Sequence, residues 1–139
     1  VSDPSIYNYF TVMGTPAPQG SKRHVGRGIM VESSRKVAPW REAVKWEAIR
    51  VHGGKPPLEG PLYVSVHFYV RPPKKLKKGQ QPITRTNGDI DKLLRSTFDA
   101  LVDSGMIRDD SQIVCVTARK EFASDTTPPQ AMIGIGPQT

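Results

Sequence analysis

The sequence predicts an α+β fold: one mixed β-sheet with two helices packed on one face, in the order β-β-α-β-α-β-β. Three observations predict it. The run PLYVSVHFYV alternates strictly, with Leu62, Val64, Val66, Phe68 and Val70 on one side and Tyr63, Ser65, His67 and Tyr69 on the other. Two segments, from Pro39 and from Asp91, repeat apolar residues at helical spacing. Short apolar runs before and after them supply the remaining strands. A length of 139 residues suits a single domain, expected to span 1–139 with residues 1–8 and 136–139 as flexible ends.

Each element has its local cause. YNYFTVM has the aromatic and apolar density of a first strand, and the Gly and Pro of GTPAPQGSKRHVGRG break regular structure after it. GIMVE reads as a short return strand. The first helix starts at Pro39, a residue suited to a first helical position; it carries Trp40, Val44, Ala48 and Val51 inward and stops at Gly53-Gly54. After the alternating strand, RPPKKLKKGQQPITRTNG reads as a solvated loop, long enough to suggest a function. The second helix runs from Asp91 to Ser104, with Leu94, Phe98, Leu101 and Val102 inward and Gly105 as the left-handed cap. QIVCVTARKEF and AMIGIG close the sheet.

Charge and composition narrow the function. Twenty Lys and Arg stand against thirteen Asp and Glu, a net charge of +7, which predicts a polyanionic partner, nucleic acid ahead of membrane. The longest apolar run is about half of the roughly 20 residues that a membrane helix needs. A single cysteine, Cys115, excludes an intrachain disulfide and favours a reducing, cytoplasmic compartment. His24, His52 and His67 are too scattered for zinc. GGKPP lacks the Ser or Thr of a phosphate loop, GRGIMV lacks the third Gly of a dinucleotide fingerprint, and no Gly-x-Ser-x-Gly elbow is present. His67, on the polar side of its strand, reads as an exposed structural histidine.

Against this basic background six of the thirteen acids, Asp89, Asp91, Asp99, Asp103, Asp109 and Asp110, fall between Asn87 and Asp110. Phosphodiester cleavage needs an activated water and positive charge on the phosphate, and magnesium on two to four carboxylates supplies both. Asp89 stands just before the second helix and Asp91 at its start, while Asp109 and Asp110 follow it. A helix of that length spans roughly 20 Å, so the spacing leaves open whether the two pairs meet. Asp91 also fits a helix N-cap, and Asp99 fits an ordinary ion pair with Arg95 four residues before it. Asp103 reads as solvated.

The run GDIDKLLRSTFDALVDSGMIRDDSQIV, preceded by PLYVSVHFYVRPPKKLKKGQQP, resembles the RusA family of Holliday-junction resolvases. That family's pattern reads roughly Asp-aliphatic-Asp-Asn-x-x-Lys, then Phe-Asp-Ala-Leu, then Asp-Asp-x-Gln-aliphatic. The resemblance covers about residues 58 to 122, and more loosely GTPAPQGSKR. It implies a homodimeric, magnesium-dependent endonuclease of a bacterial or phage-infected cell that cuts four-way DNA junctions, with Mn²⁺ as a possible substitute metal. By it Asp89, Asp91 and Asp110 match the metal-binding acids, adjacent Asp109 joins them as a candidate metal residue, and the two acid pairs come together. Where the family has Asn and Lys, this chain has Lys92 and Arg95. Arg95 can hold a scissile phosphate but is a poor proton donor; Lys92 adds positive charge beside the acids.

Lys22, Arg23, Arg27, Lys74, Lys75, Lys77 and Lys78 are the candidates for gripping the phosphates of DNA arms, alongside Lys92. Two other readings compete with a junction nuclease. One is a basic nucleic-acid-binding module without catalysis, the other a related nuclease acting on forks or flaps.

Overall fold

The computed structural model describes residues 7–19, 22–24, 30–32, 35–83 and 87–139. The elements are β1 (Asn8–Met13), β2 (Lys22–His24), β3 (Met30–Glu32), α1 (Val37–His52), β4 (Leu62–Val70), α2 (Ile90–Ser104), a 3₁₀ turn (Asp110–Gln112), β5 (Ile113–Phe122) and β6 (Gln130–Pro137). β1, β6, β4 and β5 form one sheet in that spatial order. β4 pairs in parallel with β5, and β6 lies antiparallel to both β4 and β1.

The expected order β-β-α-β-α-β-β is corrected here: the strands and helices of the main sheet run β-α-β-α-β-β. Among the described residues the segment read as a return strand, β3, pairs only with β2, in a separate two-stranded ribbon. β2 also interrupts a loop expected to be irregular. Its three residues lie between Gly20 and Gly26, where neither Gly nor Pro opposes extension.

The core sits between the sheet and both helices. Leu62, Val64, Val66, Phe68 and Val70 are buried on one side of β4, in one cluster with Trp40, Val44 and Ala48 of α1 and Leu93, Ala100 and Leu101 of α2. Both helices therefore lie on that side, as expected. α1 starts two residues before Pro39, which any first turn tolerates because its amides have no intrahelical acceptor. In α2 the fully buried stripe is Leu93, Ser96, Thr97, Ala100 and Leu101, while Leu94, Phe98 and Val102 are only partly buried. The small Ser96 and Thr97 hydroxyls are buried because each finds a carbonyl: both donate to Leu93, and Ser96 also to Ala17. Thr97 further accepts the Trp40 indole N–H at 3.3 Å, which ties the helices together.

Parallel neighbours cannot be joined by a tight turn, so the chain crosses from β4 to β5 through α2. A crossover helix runs against its strands. Hence α2 begins beside the end of β5 and finishes beside its start. His67, expected to be exposed, is half-buried: its ring stacks on Tyr69 at 4.3 Å and its Nε2 lies 2.7 Å from Glu121.

Candidate active site

The first acid pair stands on an Asn-Gly turn that leads into α2. Gly88 has φ +94°, a left-handed conformation that favours glycine, and a Cβ there would stand 2.6 Å from the Pro18 ring. The loop carrying Pro18 is pinned to α2, with the Gln19 amide donating to the Lys92 carbonyl and the Ser96 hydroxyl to the Ala17 carbonyl. On the other side Lys120 of β5 donates through Nζ to the Gly88 carbonyl at 3.0 Å. The turn is thus held between two elements.

Asp89, rather than Asp91, is the N-cap of α2. Its backbone carbonyl accepts the amides of Lys92 and Leu93, but its carboxylate makes no capping bond. Capping aspartates ordinarily fold back onto those amides. Here the charge stays exposed. Asp91 occupies the second helical position and is exposed as well. Both gain from the positive end of the helix dipole.

The second pair belongs to the turn at the far end of α2. Gly105 takes the left-handed cap, and the Met106 carbonyl accepts the Leu58 amide at 2.8 Å. Gln112 organises the chain between this cap and β5. Its Oε1 accepts the amides of Arg108 and Asp109, and its Nε2 donates to the carbonyls of Leu58 and Gly60. Asp109 caps the 3₁₀ turn, and its carboxylate, accepting the Ser111 hydroxyl, is held below the usual carboxylate range. Asp110 is exposed.

Asp99 is half-buried on α2. Burial pushes the Asp99 carboxyl up; Arg41 pulls it back, while the charges of Asp110 and Asp103 push it further and Arg95 opposes them. Arg41 itself bonds Asp103 at 2.8 Å. Asp99 is two helical turns beyond Asp91, roughly 12 Å along the axis. Asp110 opens the turn that leads straight into the start of β5 at Ile113, whereas Gly88, next to the first pair, is bonded to Lys120 near the end of that strand, so the two pairs stand at opposite ends of α2. Among the described residues no three His, Cys, Asp or Glu side chains are gathered to hold a metal ion.

Ionised Asp99 carries a folding cost. Its folded pKa lies above the ordinary 3.8, so the cost is complete above the raised value and disappears as pH falls toward 3.8. Asp99→Asn is expected to unfold at the wild-type temperature or up to about 2 °C higher at pH 7. Thermal melts should show that margin closing on acidification.

The lysine loop lies at the same end as the first acid pair. Lys74, Lys75, Lys77 and Lys78 are exposed, and Lys77 and Lys78 line a cleft with Glu121 and Phe122, next to Lys120. Lys92 is half-buried on α2, and Arg95 is exposed one turn past Asp91. Lys22 and Arg23 are in β2. Arg27 lies outside the described residues. Reading the sequence missed Lys120 and Gln112. A signal for Lys120 was present, since alternation puts it with Val116 and Ala118 on the apolar side of its strand, an unusual place for a charge.

Among the described residues, no helix is long and apolar enough to cross a membrane. The family model described as Endodeoxyribonuclease RusA matches residues 13–135. No curated protein matches the chain.

Proposed function

The chain belongs to the RusA family of endodeoxyribonucleases, the Holliday junction resolvases, and on that footing we propose that Asp89, Asp91 and Asp110 hold the magnesium with which it cuts. The observation that carries this assignment is the uncapped Asp89 carboxylate beside exposed Asp91, on a turn fixed from both sides. Exposed carboxylates are the hard oxygen donors that magnesium takes, and manganese binds the same set. When bound, the metal supplies an activated water and positive charge at the phosphate. Asp109, occupied by its turn, orients Asp110 and completes the second pair.

The donors suit the ion in kind, yet the two pairs stand at opposite ends of α2. We take the functional unit to be a homodimer in which Asp110 of one copy serves the Asp89–Asp91 pair of the other. A four-way junction offers two equivalent strands, and a two-fold dimer offers two such sites. Arg95 holds the scissile phosphate. Because phosphorus carries most charge in the transition state, Arg95→Ala is expected to lower turnover by more than about tenfold with affinity little changed; equal losses in both would make it a simple DNA contact.

Lys22, Arg23, Arg27, Lys92 and the four loop lysines grip the arms through their phosphates. Changing Lys74, Lys75, Lys77 and Lys78 together to Ala should weaken binding to every DNA sequence alike. The log–log salt dependence should flatten by roughly one unit per lost contact. Titration of a labelled junction at several salt concentrations measures both. We regard residues 1–139 as one nuclease domain working in a bacterial or phage-infected cytoplasm.

The test of this reading is a cleavage assay on four-way junction, fork and linear duplex, with Mg²⁺ and with EDTA. Paired cuts in the junction that stop with EDTA are expected. Preferential cutting of forks would move the substrate within the same chemistry, and binding without cutting would refute the assignment.

A further inference from the structure

Lys120 has a place in the site that its strand position alone would not give it. In β5 it is in register with buried Phe68, so its stem projects to the helix side of the sheet. Lys120 is half-buried, and its ammonium donates to the Gly88 carbonyl at 3.0 Å. Asp89 is the next residue. A lysine offers three donors, and one bond to a carbonyl leaves two for carboxylate, phosphate or water.

That contact acts on both the backbone and the charge of the turn. Asp89 has no side-chain capping bond to fix it, so the direction of its carboxylate depends on the Gly88–Asp89 peptide. The Pro18 ring fills the space beside the Gly88 Cα, and Lys120 anchors the Gly88 carbonyl. Asp89 and Asp91 are also like charges two residues apart, and a fixed ammonium next to the turn offsets their repulsion. The same contact places a lysine beside the acids in a chain whose helix carries Arg95.

We propose that Lys120 is a positioning residue of the cleavage site, clamping the Gly88–Asp89 turn to the edge strand so that Asp89 and Asp91 present their carboxylates together. The inference rests on the assignment of those two acids as ligands. It assigns Lys120 no contact with the reacting atoms.

The test uses the full chain with Lys120→Met, which keeps the apolar stem, and Lys120→Arg, which keeps donor and charge. Asp89→Asn runs alongside. Lys120→Met is expected to cut a four-way junction about thirtyfold more slowly or worse, since a shift of about 1 Å in a reacting group suffices for such losses. Junction affinity in EDTA should stay within about threefold of wild type, because the lost contact is to the protein's own backbone. Lys120→Arg should recover most of the rate.

Hydrogen exchange supplies the readout that does not depend on cleavage. The Lys92 and Leu93 amides, both bonded to the Asp89 carbonyl, should exchange faster in Lys120→Met, while Ala100 and Leu101 remain protected. Wild-type cutting by Lys120→Met, an affinity loss as large as the rate loss, or faster exchange along all of α2 would each overturn the proposal. If Asp89→Asn is inactive and Lys120→Met normal, only the role of Lys120 fails. If Asp89→Asn cuts normally, the ligand assignment fails with it.

Discussion

Asp89→Asn, Asp91→Asn and Asp110→Asn are each expected to cut four-way junctions more than about a hundredfold more slowly than the wild type while binding them equally or more tightly. The amide keeps the shape of the carboxylate and removes the charge that a divalent ion needs. Removing a negative group also lessens repulsion of DNA phosphates, which accounts for the tighter binding. Gel assays of cleavage in Mg²⁺ and of binding in EDTA separate the two effects. Normal cleavage by any two of the three variants would sink the ligand assignment.

The same variants test the dimer. Mixed and re-equilibrated, Asp91→Asn and Asp110→Asn chains form heterodimers in which one shared site has lost both acids and the other has all of them. Cleavage should return, as nicks at one strand. If every ligand came from one chain, no heterodimer would hold a complete site and the mixture would stay inactive. Light scattering on the wild type should report two copies, and a monomer bound to the junction would exclude shared sites.

Gly88→Ala is expected to cause the largest combined loss of stability and activity for a single added methyl group. An alanine at φ +94° is strained, and its Cβ would meet the Pro18 ring at 2.6 Å. Pro18 cannot simply retreat, because Ala17 and Gln19 on either side are hydrogen-bonded to α2. The cost should be about 2 to 3 kcal/mol, a fall of roughly 6 to 15 °C in unfolding temperature. Cleavage measured well below that temperature should fall about a hundredfold, because relief of the clash moves the acid turn. Gly54→Ala is the control. Gly54 also has positive φ, +74°, but nothing lies within 4 Å of an added Cβ, so it should lose some stability and no activity.

Much of the architecture was legible because it rests on local rules. Strict alternation identified β4 and its buried side, since a strand turns successive side chains to opposite faces. The helices were recognisable from period and caps, and Gly105 is the left-handed cap of α2 as its position suggested. The boundaries moved where local preference is weak. Pro39 permits a first turn without marking its first residue, and the buried stripe of α2 depends on where Ala17 and Trp40 dock. The role of β3 could not be read from composition, because pairing with β2 rather than with the main sheet is a choice between distant partners.

The sequence by itself determined the chemistry on offer: a basic chain with its acids concentrated around one helix, and a family pattern spanning them. Residue type and spacing along the chain are enough for that. Only the tertiary structure decided how those groups are presented. The parallel pairing of β4 and β5 makes α2 a crossover helix, and a crossover must run against its strands, so the acid pairs lie at opposite ends. That direction also brings Lys120, about thirty residues along the chain, to the carbonyl before Asp89. It seats Pro18 against Gly88 from a loop seventy residues away. Such contacts depend on the packing of whole elements, and no window of sequence contains both partners.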